Sequence, residues 1–270
     1  MSWAKYWGLL IMEVFLANNT GLGDCLLLNG AARYVASRPD VDHAYVLCVG
    51  DHNKFRHISW MYRDNEKISV IPEPAASNGK QARRKMNKRA RQYPHAQARI
   101  FFWYSNDWYG QMTKRGLDHK TNCWPELFYH AHQAPYTARH EHFYIERDRD
   151  RESQIVERLE LPSEYAFCSN VSSRRSYPIK PNTNLPIIKP RHTRDDLIFD
   201  WMSVIENATE VHTVDTSWFH LIKQMRLDKP KYFYHVRDFP MQNTFTSCYL
   251  NDKYDNGWEV LDINSNSVYY

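Results

Sequence analysis

Residues 16–30 read LANNTGLGDCLLLNG. The apolar run IMEVFLAN (11–18) ends in the turn residues NNTGLGD, and LLLNGAARYVAS (26–37) then repeats apolar residues at helical spacing. Two of the chain's nine glycines, Gly21 and Gly23, fall in this one turn. A strand therefore enters a helix through a sharp backbone reversal. The alternation continues downstream. HAYVLCVG (43–50), KISVIPE (67–73) and ARIFFWYSN (98–106) predict strands, with HNKFRHISWMYRD (52–64) and SNGKQARRKMNKRARQYP (77–94) as the helices between them. Strands alternating with helices predict a mostly parallel sheet covered on both faces, so the expected fold class is α/β.

The pattern restarts in the second half. EYAFCSN (164–170), LPIIKP (185–190), EVHTVD (210–215) and a last strand KYFYHV (231–236) are interleaved with the helices DLIFDWMSVIENA (196–208) and TSWFHLIKQMRL (216–227). Between the halves, 108–144 reads as irregular and rich in histidine and aromatics. RDRDRESQIVERLEL (147–161), stopped by Pro162, reads as a charged connecting helix. The expected division is an N-terminal Rossmann-like domain, 1–160, and a C-terminal one, 161–270, whose tail after Arg237 carries no clear pattern.

Composition excludes several classes. Of 270 residues 43% are apolar and 14% aromatic, enough for packed cores and too much for a disordered chain. The five cysteines (Cys25, Cys48, Cys123, Cys168, Cys248) are odd in number and form no CxxC pair, which suits reduced thiols in a cytoplasmic protein. YWGLLIMEVFLA (6–17) is broken by Glu13 and too short to span a bilayer, so no transmembrane segment is expected and peripheral membrane contact is left open. The formal charge of +4 is unevenly spread. No acidic residue lies between Glu73 and Asp107, an interval holding Lys80, Arg83, Arg84, Lys85, Lys88, Arg89, Arg91 and Arg99. Such a stretch is either a solvated face or a patch that attracts a polyanion.

Chemistry is expected at the strand-to-helix junctions, because open parallel sheets bind ligands at the carboxyl ends of their strands. A helix amino terminus there offers free N–H groups and partial positive charge to a phosphate. GLGDCL lacks the third glycine of a dinucleotide fingerprint. It leaves Asp24 at the helix start, where it acts either as an ordinary cap or as an ionised proton acceptor. In EVHTVDTSWFHL, Asp215, Thr216 and Ser217 open the second helix and place His220 on the Thr216 face, suited to holding a diphosphate or simply to capping. Asp148-Arg149-Asp150 spells DxD but lies at a charged helix start, not on a loop after a strand. His130-x-His132 and His140-x-His142 lack a third ligand at zinc-site spacing, and are expected to line a polar wall between the domains. Ser172 and Ser173 lack the GxSxG elbow of a hydrolase. No metal is expected.

Taken together, TGLGDCLLLNGAARYV (20–35) and NATEVHTVDTSWFHL (207–221) resemble the two motifs of the lipopolysaccharide heptosyltransferases and related GT-B glycosyltransferases. The resemblance implies two Rossmann-like domains facing across a cleft, and transfer of a sugar from a nucleotide-diphosphate sugar without cofactor or metal and with inversion. It implies Asp24 as catalytic base, and Gly23, Asp215, Thr216, Ser217 and His220 at the donor. Ser217 stands where that family usually has glycine. YAFCSNVSSRR (165–175) resembles the strand and loop opening the second domain, which adds Ser173 and Arg174, with Arg175 as rival, to the donor site. The N-terminal domain would bind an acceptor. Its basic stretch points to an anionic one, a phosphorylated glycan or glycolipid or a modified DNA base, touched by Arg84, Lys85, Lys88, Arg89 and Trp108. A non-catalytic nucleotide- or nucleic-acid-binding module of the same fold is the alternative.

Overall fold

Val14, Phe15, Leu16 and Ala17 are buried on both sides, which makes the run before the glycine turn a central strand and explains why its apolar residues do not alternate with polar ones. In the computed structural model, the described residues are 12–18, 21–76, 79–101, 108–118, 125–171, 176–191, 193, 195–236, 256–262 and 268–269. Along the chain they form β1 (Met12–Asn18), α1 (Leu22–Leu27), α2 (Asn29–Ser37), β2 (Val41–Gly50), α3 (His52–Met61), β3 (Ile68–Pro74), α4 (Gly79–Ala90) and β4 (Ala96–Phe101). Then follow α5 (Trp108–Lys114), α6 (Glu126–Ala131), α7 (Ala138–Glu141), α8 (Arg149–Leu159), β5 (Ala166–Ser169) and β6 (Ile187–Ile188). A 3-10 turn (Ile198–Trp201) leads into α9 (Met202–Asn207), β7 (Glu210–Val214), α10 (Ser217–Met225), β8 (Lys231–His235), β9 (Trp258–Asp262) and β10 (Val268–Tyr269). No helix among the described residues is long and apolar enough to cross a membrane.

Two compact units result. The first contains a wholly parallel sheet in the order β3-β2-β1-β4. Phe15, Ala17, Leu47, Val49 and Ile71 pack on one face with Met86 of α4, because residues two apart on a strand share a face. In the same unit Asn29 grips the backbone of Tyr144, accepting from its N–H (3.0 Å) and donating to its carbonyl (3.2 Å). Arg33 pairs with Asp64 at 2.6 Å. His132 and His140 are buried inside this unit. Burial first, and then the charge of Arg99, push the His132 imidazole down to about 4, so it is neutral in the folded chain at pH 7. Below its ordinary value of 6.5 the unfolded chain binds a proton that the folded chain does not, so stability falls as pH drops from about 6.5 to about 4. Urea unfolding at pH 7 and pH 5 is expected to show a loss of up to about 2 kcal/mol in the parent that His132→Gln lacks.

The second unit contains the sheet β10-β9-β8-β7-β5-β6, parallel except for β10 against β9. Phe167 meets Trp218 of α10 at 5.6 Å between ring centres, and Phe233 meets Phe219 at 4.9 Å, which fixes the face that α10 covers. Cys168, Val214, Tyr234 and Val236 lie on the other face with Tyr177 and Ile179. Cys25, Cys48 and Cys168 are buried and form no disulfide among the described residues; Cys123 and Cys248 lie outside the described residues.

The structure departs from the sequence reading at several points. KYFYHV is not the last strand, since β9 and β10 extend the sheet beyond it. Among its described residues the interval 108–144 contains the short helices α5, α6 and α7 rather than irregular chain alone. LLLNGAARYVAS does not form one helix: α1 ends at Leu27 and α2 begins at Asn29. DLIFDWMSVIENA divides into the 3-10 turn and α9. By contacts the described residues of the two units interleave along the chain, with 21–27, 108–118, 125–127 and those from Ile145 onward grouped in the second. Helix α8 belongs there because its charges are tied down within that unit. Arg151 pairs with Asp200 at 2.6 Å, Arg158 with Asp196 at 2.7 Å, and Glu152, 1% exposed, is held by Arg147 and Ser203. The DxD is part of the same helix start, with Asp148 accepting from the Arg151 N–H as its cap.

Candidate functional site

Residues 21–24 place Asp24 at the third position of α1. Its Oδ2 accepts the Gly21 N–H at 3.0 Å, so the carboxylate closes one otherwise unpaired donor of the first turn. Capping is thus one of its roles. The same turn has a second requirement, at Gly23. A β-carbon there would lie 2.5 Å from Cδ2 and 3.1 Å from Nε2 of His220, and 3.4 Å from Cα of Ser217. Only glycine admits that approach. Helix α1 belongs to the second unit, and its amino-terminal turn rests on the amino-terminal turn of α10. The two junctions singled out in the sequence therefore meet within one compact body.

On the α10 side, Thr216 caps the helix with extended backbone (φ −146°, ψ 177°) but makes no side-chain capping bond. Its Oγ1 is buried without a hydrogen-bond partner among the described residues. His220 is 5% exposed and directs Nε2 toward Asp215 Oδ1 at 3.7 Å. Thr216, Ser217 and the amino-terminal turn of α10 lie at the carboxyl end of β7, the position where a phosphate gains from hydrogen bonds and from the helix dipole.

Ser169 is a residue that the sequence reading missed. It ends β5 in register with Thr213, is 1% exposed, and its Oγ has no partner among the described residues. By alternation it shares the face of Phe167, the face α10 covers. The available signal was a lone hydroxyl closing the apolar run AFC at the carboxyl end of a parallel strand. A buried hydroxyl without a partner costs about 1–3 kcal/mol, so two at one sheet edge call for an explanation. A groove of about 430 Å³ between Arg226–Lys231 and Asn256–Gly257 lies instead at the amino ends of β8 and β9, the edge that parallel sheets do not use for ligands.

The remaining expected residues divide. Ser173, Arg174 and Arg175 lie outside the described residues, while Val171 and Ser176 on either side form an antiparallel bridge. Trp108 begins α5. On α4, Lys85 and Arg89 are half-buried and partnered: Arg89 pairs with Glu73 at 3.0 Å, and Lys85 reaches Glu73 at 3.9 Å and donates to the Pro74 and Ala75 carbonyls. Arg84 and Lys88 are exposed. The first acid preceding the acid-free stretch thus neutralises part of it.

No protein-family model matches the sequence, and no protein of curated function does. Among solved structures, a glycosyl transferase family 9 protein from Veillonella parvula superposes with a TM-score of 0.52, covering 95% of this chain and 87% of its own at 12% identity. The ADP-heptose lipopolysaccharide heptosyltransferase II of E. coli superposes with a TM-score of 0.57, covering 95% of this chain and 92% of its own at 10% identity. The fold is GT-B. It is the fold that the resemblance of the two junction motifs implies. The cap Thr216, whose buried hydroxyl has no partner among the described residues, stands at the carboxyl edge of a parallel sheet, the edge at which such sheets bind ligands.

Proposed function

We propose that the chain is an inverting glycosyltransferase that moves a sugar from a nucleoside-diphosphate sugar to a hydroxyl of an anionic acceptor. The observation that carries this is Thr216, a buried hydroxyl without a partner among the described residues, at the amino terminus of a nine-residue helix. The acceptor oxygen forms a bond to the anomeric carbon while the bond from that carbon to the diphosphate oxygen breaks. Asp24 takes the acceptor proton. The charge developing on the diphosphate is met by the first turn of α10, by Thr216 and Ser217, and by Arg174, which the sequence resemblance supplies. His220, braced by Asp215 and pressed on Gly23, keeps the two turns in register. Direct displacement needs no metal. The E. coli neighbour is named for ADP-heptose, which makes ADP-sugars the first donors to try.

A second reading has one observation in its favour. Asp24 already caps α1, so a nucleotide-binding module without chemistry accounts for that residue as well.

Thermal shift with ADP-, UDP-, GDP- and CMP-sugars tests donor binding. A ligand at a hundred times its Kd adds about 2.7 kcal/mol of stability. Thr216→Val and Ser169→Ala are expected to act with opposite signs on two readouts. Each removes an unpaired buried hydroxyl, so the ligand-free protein gains roughly 1 kcal/mol. Each also removes a phosphate contact, so nucleotide affinity falls about tenfold, the equivalent of 1.4 kcal/mol. Unchanged nucleotide affinity in both variants would remove this edge of the sheet from the donor site.

A further inference from the structure

We propose that the solvent face of α4 docks duplex nucleic acid. The helix has three faces with different tasks. Ala82 and Met86 are buried, Met86 in the core cluster of the first unit. Lys85 and Arg89 are held by Glu73 and neighbouring carbonyls. Lys80, Arg84, Lys88 and, in the turn that follows, Arg91 remain exposed. Their spacing of four, four and three residues puts these cations along one side of the helix, over about 16 Å at 1.5 Å per residue. The chain holds no acidic residue between Glu73 and Asp107.

The geometry selects among anions. A small phosphate compound needs donors that converge, whereas these diverge from a convex helix. A lipid surface is met by helices that carry large apolar side chains beside their charges. Here Ala82 and Met86 of α4 face inward, and among the described residues the exposed large hydrophobic ones, Tyr144, Val171 and Ile187, lie on other segments. A straight row of cations instead matches a rod bearing one charge per about 1.7 Å of axis. Contacts of this kind go to phosphates and fix position without reading base sequence. Taken as the acceptor surface of the proposed reaction, the assignment rests on the glycosyltransferase reading; as a binding surface it does not.

Fluorescence anisotropy of a labelled mixed-sequence duplex with the full chain tests it. Four phosphate contacts give a slope of log affinity against log salt near about −3.6, hence a roughly hundred-fold loss between about 50 and 200 mM salt. The variant Arg84→Glu/Lys88→Glu/Arg91→Glu is expected to abolish binding. Its neutral counterpart, with glutamine at the three positions, is expected to flatten the slope by about 2.7 with an unchanged melting temperature. Equal duplex affinity in parent and glutamine variant overturns the proposal, as does binding to phosphatidylglycerol vesicles with none to duplex. If duplex binding fails while a sugar nucleotide still raises the melting temperature, only the α4 assignment falls. If duplex binds through α4 and no sugar nucleotide does, the docking surface stands and the transferase reading fails.

Discussion

Asp24→Asn is expected to lower turnover of a sugar nucleotide by about 10²–10⁴-fold, the usual contribution of general-base help, while leaving nucleotide affinity within about twofold. The substitution is chosen because it separates the two roles of the side chain. Asparagine keeps an oxygen to accept the Gly21 N–H, so the cap survives. What disappears is the proton acceptor, along with a charge–dipole term of about 0.3–1 kcal/mol. Asp24→Ala removes both and should lose a further 0.5–2 kcal/mol or so of stability. Steady-state rates and thermal unfolding of the two variants decide the matter. Should the asparagine variant turn over within about threefold of the parent while the alanine variant melts earlier, Asp24 is a cap alone and the binding-module reading gains.

The second large effect concerns two glycines that are crowded in different ways. A β-carbon at Gly30 would lie 2.1 Å from the carbonyl oxygen of Ala138 and 2.9 Å from its carbon, both backbone atoms. Helix α2 and the chain at α7 must separate to admit it. Overpacking of this kind costs about 1–3 kcal/mol and occasionally more, against which the helix-propensity gain of alanine over glycine, at most about 1 kcal/mol, is too small. Gly30→Ala should therefore lose roughly 2–3 kcal/mol, lowering the melting temperature by about 5–10 °C. At Gly23 the obstacle is the edge of the His220 ring, which can rotate away. Gly23→Ala is expected to melt within a few degrees of the parent yet to weaken nucleotide binding at least tenfold, because His220 leaves its place beside Asp215. A Gly30→Ala protein as stable as the parent would show that α2 and α7 are not in the contact described.

Much of this molecule can be read along the chain. The runs that become β1 to β5, β7 and β8 are apolar and bounded by turn residues, and the helices between them carry their own periodicity, so local physics sufficed to find them. The GLGD and DTS junctions were visible for the same reason: glycines, a carboxylate and hydroxyls at strand ends have few other uses. Contacts between distant segments were not visible. That Glu73 neutralises Arg89 sixteen residues on, that Glu152 is buried beneath Arg147 and Ser203, and that Asn29 holds Tyr144 depend on the path of the backbone between them. The strands β9 and β10 lacked a signal because a short strand acquires its register only from the sheet it joins.

The sequence by itself determined the alternating elements, the α/β class and which residue types stand at the two turns, since each follows from side-chain pattern and backbone freedom within a few residues. Only the tertiary structure decided that α1 leaves its sequence neighbours to pack on α10, bringing Gly23 against His220, and that Ser169 and Thr216 are buried with hydroxyls that have no partner among the described residues. The reason is that close approach and burial are properties of pairs of surfaces. A glycine in the sequence states what the backbone can tolerate, and the surface packed against it is known only once the chain has folded.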